Sequence, residues 1–333
     1  MSVHVTEPSI RSDDEPRISA VSMRTPADRL FRGVVRASGA LTLGIMVLIG
    51  LFLTIRAWDA LRVAGFGFFT KSAWQPETGH FGVAAALLGT VLIAVIALAI
   101  ALPVSVCTAL FVTEYAPAAI RRPLTSFVDV LAAVPSIIYG LWGRYYFTPR
   151  EIPFSRWLAT HLGFIPFFHV KDAQHASYAA STFIAALVVA LMIVPICTAV
   201  MREVFSQAPP GEKEGALALG GTKWSVIKTV VLPFGRGGII GGSMLGLGRA
   251  LGETIAVTMI ISPSFDPHAL THVLQTGANS IAALIALRFS ESNDFGISAL
   301  MAAGLTLFVI TLIVNAFAAV IVSRSRSGSA TEI

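Results

Sequence analysis

The chain alternates between long apolar runs and short polar connectors. Ala37 to Ile55 carries no charged residue, and a longer charge-free run lies within residues 81–113. Further apolar runs fall at about 124–142, 178–201 and 237–261, and within 296–322. Several exceed about 18 residues, enough at 1.5 Å per helical residue to cross a hydrocarbon core of about 30 Å. Every backbone polar group needs an internal partner in hydrocarbon, so the pattern predicts six membrane-spanning helices. Pro103 and Pro195 fall inside two of the runs and are tolerable as kinks near helix ends. The third run carries Asp129, the fifth Arg249 and Glu253, and the sixth Asn315. An interfacial cap or a pair with a basic loop residue suits Asp129, and a helix–helix hydrogen bond suits Asn315.

The connectors set the orientation. With the N-terminus inside, the inner segments hold roughly twice as many Lys and Arg as the outer ones, which places both termini and the 202–236 loop in the cytoplasm. This divides the chain into a polar tail (1–29), a first helix with an outer loop (30–80), a membrane core (81–323) and a second tail (324–333). Composition agrees with a membrane protein: 55% of residues are hydrophobic and 13% charged, against roughly 25% charged in soluble domains. The net charge of +5 sits beside apolar runs and calls for no nucleic-acid partner. Cys107 and Cys197 both lie in apolar runs and offer neither a disulfide framework nor metal spacing. His268 and His272 stand four apart without the Glu of a zinc-protease motif, so no metal site is expected.

The cytoplasmic loop has its own pattern. From Gly211 to Pro233 the sequence predicts a short helix over Glu212 to Leu219. A left-handed cap at Gly220-Gly221 would end it, and an N-cap at Thr222 would open a second helix through Trp224 and Ile227. Propensity alone leaves an ordinary connector equally open. The segment resembles the coupling loop of ABC-importer permeases, where Glu-Ala-Ala is followed by Gly and then by Ile-x-Leu-Pro. Glu214, Ala216 and Gly220 match, with Val230, Leu232 and Pro233 at the required distance, Val230 standing for Ile and Gly215 for the first Ala. The resemblance implies a helical type I importer fold and a first short helix that docks on an ATPase subunit. No Gly-Lys pair occurs anywhere in the chain, so no phosphate-cradling loop is present and a partner must hydrolyse ATP.

In the fifth run Gly238, Gly242, Gly246, Arg249, Glu253 and Ala256 fall within an arc of roughly 80° on one helix face. The glycines invite close approach of another helix. Arg249 and Glu253, four residues apart, would pair near the midplane. A charge there costs at least about 2.5–3.5 kcal/mol, so it should face protein or a water-filled path. Two readings are open: a neutralising pair that fixes packing, or an anion pathway in which the guanidinium fork receives an oxyanion.

Leu247-Gly-Arg-Ala-Leu-Gly-Glu-Thr-Ile-Ala-Val257 resembles the permeases of phosphate-specific ABC importers, those of the PstC type most closely. Ala133-Val-Pro-Ser-Ile-Ile-Tyr-Gly-Leu-Trp-Gly143 is similar to the same family, as is the outer loop with Phe68, Phe69, Thr70, Trp74, Pro76, Phe81 and Gly82. One departure is Leu287-Arg288, where the family pattern has Asn-Glu. The resemblance implies passage of inorganic phosphate, handed over by an extracytoplasmic binding protein. It also implies a second, PstA-type permease and two ATPase subunits that use the ATP and Mg, with no cofactor on this chain. The outer loop at about 143–177 is either a docking surface for the binding protein or an amphipathic segment on the membrane surface. Two other classes compete: an ion-coupled secondary transporter, which would use the buried pair, and a membrane enzyme acting on phosphate esters.

Overall fold

A computed structural model of the chain describes residues 26–265 and 273–325; His268 and His272 lie outside the described residues. Contacts divide the chain after Ile49. In the first unit, residues 26–49 form the N-terminal stretch of α1 (Pro26–Ala64), its side chains exposed almost throughout. The helix begins at Pro26, inside the stretch expected to be a tail. Pro suits the first helical turn, and Asp28 lies where the helix dipole favours a carboxylate.

In the second unit, the rest of α1 buries Ala57 and Ala60. It is joined to the last helix by one hydroxyl. Ser298 Oγ donates to the Arg56 carbonyl (2.8 Å) and accepts from the Ala60 amide (3.2 Å). Next come α2 (Ala84–Leu110), α3 (Ala118–Ala133), α4 (Ser136–Trp142), α5 (Thr148–His161) and α6 (Thr182–Ser206). The second half holds α7 (Pro210–Ala218), α8 (Lys223–Val226), α9 (Arg236–Leu251), α10 (Ile255–Ile260), α11 (Ile281–Arg288) and α12 (Asp294–Ser325). A two-stranded hairpin, Trp74–Gln75 with His80–Phe81, precedes α2. Its Phe81 ring meets Phe68, Trp74 and the Phe295 ring of α12 edge-on, which explains the aromatic residues of that loop.

Among the described residues four helices are long and apolar enough to cross a membrane, and up to six if two bent pairs each count as one span. Two predicted runs are not single straight helices. The third, at 124–142, breaks at Val134-Pro135, and the pair of helices around the break is bent by 87°. Pro135 has no N–H to continue the ladder and holds Val134 extended (φ −63°, ψ 127°). The fifth, at 237–261, breaks after Leu251 and resumes at Ile255. Its start is also bent, by 66°, from the helical stretch Lys223–Phe234 that leads into it.

The core surrounds α6, whose membrane-length window is 67% buried. Ile184, Val188, Val189, Ile193, Cys197 and Met201 pack against Ile93, Ala97 and Ala101 of α2 and against α9 and α10. Ser105 Oγ donates to the Val194 carbonyl (3.1 Å), a polar tie between two spans beside Pro195.

Candidate functional site

The 211–233 loop ends α7 with a complete double-bonded glycine cap. Gly220 adopts φ +83°, its amide donates to the Leu217 carbonyl (2.9 Å), and the Gly221 amide donates to the Ala216 carbonyl (3.1 Å). Thr222 Oγ1 then accepts the Ser225 amide (3.2 Å) and opens α8. Ala216 leans on the core, while Glu214 is exposed. Val230 is buried, Leu232 is half-buried and Pro233 is exposed just before the bend at Gly235. Three large apolar side chains of this loop face outward: Leu217, Leu219 (91% exposed) and Trp224. Monomer surfaces seldom leave such a cluster uncovered, so the loop has the form of a docking face.

The glycine strip of α9 is occupied within the chain. A Cβ on Gly238 would lie 2.6 Å from Val204 Cβ, one on Gly242 would lie 3.2 Å from the Cys197 carbonyl, and one on Gly246 would lie 2.5 Å from Cys197 Sγ. All three glycines are buried against α6, and Cys197 Sγ donates to the Gly242 carbonyl (3.2 Å). The strip therefore serves the packing of α9 on its own neighbour.

Arg249 and Glu253 do not pair on one helix face, as a continuous helix would require. The chain leaves the helix at Gly252, between them, and they part. Arg249 is exposed and has no hydrogen bond or ion pair among the described residues. Glu253 is buried (8% exposed), and its Oε1 accepts the Ala256 amide (3.2 Å) at the start of α10. At the far end Arg144 Nη1 donates to the Ile260 carbonyl (3.4 Å). A carboxylate at the N-terminus and a guanidinium at the C-terminus both complement the dipole of this short helix.

The other broken helix is seated on α10. A Cβ on Gly140 would lie 2.9 Å from Ala256 Cα, and one on Gly143 would lie 2.9 Å from Val188 and 3.0 Å from Ile260. At Gly140 the near atom is backbone, so only a residue without a side chain allows α4 this approach. Tyr139 Oη donates to the Leu131 carbonyl (3.1 Å), satisfying an acceptor freed at the Val134-Pro135 break. Thus α4 and α10, each bounded by a break, lie backbone to backbone at Gly140 and Ala256. The sequence singled out neither Tyr139 nor Arg144 in these roles. The signal available for them was the Val-Pro step and the Gly-Glu-Thr step, both of which stop helices.

Elsewhere, Asp129 pairs with Arg202 (3.4 Å), a residue near the C-terminal end of α6. Asn315 makes no hydrogen bond among the described residues; its Oδ1 would lie 3.7 Å from a Cβ on Gly248. Arg288, at the departure from the family pattern, pairs with Glu291 (3.3 Å). The connector at about 143–177 carries α5, where Trp157 stacks between Phe154 and His161 and Arg150 lies over the Tyr146 ring at 3.6 Å. Sequence reading also passed over Glu151 of this helix. It is buried and receives Ser155 Oγ at 2.7 Å.

Comparison with known proteins accords with this architecture. Residues 101–327 match the family described as binding-protein-dependent transport system inner membrane component. The phosphate transport system permease protein PstC 2 of Mycobacterium tuberculosis is 41% identical, over 97% of this chain and 100% of that protein. PstC of Haemophilus influenzae is 40% identical, over 87% of this chain and 91% of that protein. A crystal structure of a bacterial ABC transporter involved in the import of the acidic polysaccharide alginate aligns with TM-score 0.55 over 89% of this chain and 99% of that chain. At 17% identity it supports the type I importer permease fold alone. A non-catalytic subunit of this kind works with a separate ATPase, which removes the secondary-transporter and membrane-enzyme readings. The chain belongs to the binding-protein-dependent transport system inner membrane components, and within them to the PstC-type permeases.

Proposed function

We propose that the chain is the permease through which an ATP-driven importer moves inorganic phosphate into the cell, and that Arg249 handles the anion on the way. The observation that carries this reading is the state of Arg249: exposed just before the helix break at Gly252, with no acceptor in its own chain among the described residues. A guanidinium facing lipid in the span is costly, so its acceptor comes from a water-filled path or a partner subunit. Phosphate is an anion at neutral pH, and a bare apolar passage would oppose it strongly. Arg supplies charge and a planar donor fork suited to oxyanions. Glu253 acts at one remove, by holding α10 and so the position of the break.

In this reading the 202–236 loop lies in the cytoplasm with both termini. Glu214, Ala216 and Gly220 shape the segment that docks on the ATPase, and Leu232-Pro233 carry its movement into α9. The assembly comprises a PstA-type second permease, two ATPase subunits that use the ATP and Mg, and an extracytoplasmic phosphate-binding protein. This chain binds no cofactor. The test is uptake of labelled phosphate by proteoliposomes containing the whole complex with ATP supplied to the ATPase side. The expected result is uptake that needs both ATP and the binding protein. Uptake of another solute with phosphate excluded would reject the substrate assignment.

A further inference from the structure

The coupling loop touches the membrane core at a point that none of its motif residues explains. Next to the inner end of α2 the chain forms a π-helical turn, Phe111–Tyr115, in which the Ala116 amide reaches back to the Phe111 carbonyl (2.8 Å). Both short helices of the loop send a lysine to this turn. Lys213 of α7 pairs with Glu114 at 2.7 Å, and both side chains are largely buried (23% and 15% exposed). Lys223 of α8 lies over the Tyr115 ring, with Nζ 5.8 Å from its centroid. α7 buries no residue fully, and among the described residues Lys213–Glu114 is its one side-chain hydrogen bond or ion pair.

We propose that Glu114 and Lys213 are positioning residues that tie the coupling helix to α2, and that the π turn is the joint through which movement of the loop enters the span. The inference rests on reading 211–221 as the ATPase-docking segment. Three physical points support it. A charge-assisted bond of this length, shielded from water, holds far better than an exposed pair. A π turn carries one extra residue, so it can tighten to α-helix and rotate the residues beyond it without breaking the chain. Finally, the helical stretch Ala84–Tyr115 is continuous, about 48 Å long at 1.5 Å per residue. Near its far end Thr90 Oγ1 accepts the Ile281 amide (2.9 Å), so a displacement at Glu114 is passed to α11 on the opposite side.

The test uses the complete reconstituted importer with Glu114→Gln, Lys213→Met and the exchanged pair Glu114→Lys/Lys213→Glu. Two quantities are read: ATPase copurified per permease, and the ratio of ATPase rates with and without phosphate-loaded binding protein. Leu219→Asp serves as the docking control, since Leu219 is exposed and its replacement leaves folding alone. The expected result is normal ATPase recovery in both single variants, a stimulation ratio reduced about five-fold or more, and recovery of the ratio in the exchanged pair. Unchanged stimulation in both single variants overturns the link. So does a loss of stimulation that only tracks a loss of assembled complex and is not restored by exchange. If Leu219→Asp loses the ATPase while the two single variants stay fully stimulated, the link alone fails. If Leu219→Asp keeps the ATPase and stimulation is unchanged throughout, the docking reading falls with it.

Discussion

Two lines of residues run along α9 with the same four-residue spacing and opposite fates. Gly238, Gly242 and Gly246 are buried on α6, with a Cβ on Gly238 or Gly246 driven into Val204 or Cys197 and one on Gly242 held tight against the Cys197 carbonyl. Gly241, Leu245 and Arg249, one step of about 100° away, face outward: a Cβ on Gly241 would meet nothing within 4 Å, Leu245 is 53% exposed, and Arg249 is exposed. The first line is fully accounted for by the chain itself. The second meets no partner among the described residues, either for Gly241 and Leu245 or for the Arg249 guanidinium. Small residues on a membrane helix thus do not announce a subunit interface: here the tightest strip packs within the chain, and the proposed function falls to the open one.

Substitutions on the two lines should separate these roles. The largest effect is expected from Gly246→Leu, whose side chain would be driven into Cys197. Overpacking of this kind costs about 1–3 kcal/mol or more, visible as a lower thermal midpoint and lower yield of the purified chain. Gly220→Val comes next, because a β-branched residue at φ +83° carries a penalty of about 1–3 kcal/mol confined to the loop. The thermal midpoint should move little while ATPase copurification falls. Gly241→Ala is the counterpart on the open line. Ala gains up to about 1 kcal/mol of helix propensity over Gly, so the isolated chain should be as stable as wild type or slightly more so. A drop as large as that of Gly246→Leu would erase the contrast between the lines. Smallest should be Asp129→Asn, which loses a partly exposed pair with Arg202 and about 0–1 kcal/mol, measured by the same thermal midpoint.

The apolar runs were legible because hydrocarbon forces long charge-free helices, and the caps at Gly220 and Thr222 were legible because a left-handed residue and a side-chain acceptor have few substitutes. The breaks were harder to read. Val134-Pro135 lies within a run that hydropathy reads as continuous, and Gly252 comes after a helix already rich in glycine. Hydropathy averages over both, whereas the backbone responds to a single missing N–H or a single unwound step. Treating residues 237–261 as one helix is what set Arg249 beside Glu253; once the helix stops between them, the acid becomes a cap and the base is left open. Lys213–Glu114 was out of reach for a different reason, since nothing local relates residues 99 apart.

The central claim is that Arg249 acts on the transported anion and not on the fold. It is tested most directly by phosphate uptake in proteoliposomes containing equal amounts of intact complex, wild type against Arg249→Gln. Arg249 makes no bond within the described chain, so the variant should assemble with its ATPase at wild-type yield and thermal midpoint, and uptake should be abolished. Wild-type uptake by Arg249→Gln would contradict the account, as would a loss of uptake matched by an equal loss of assembled complex.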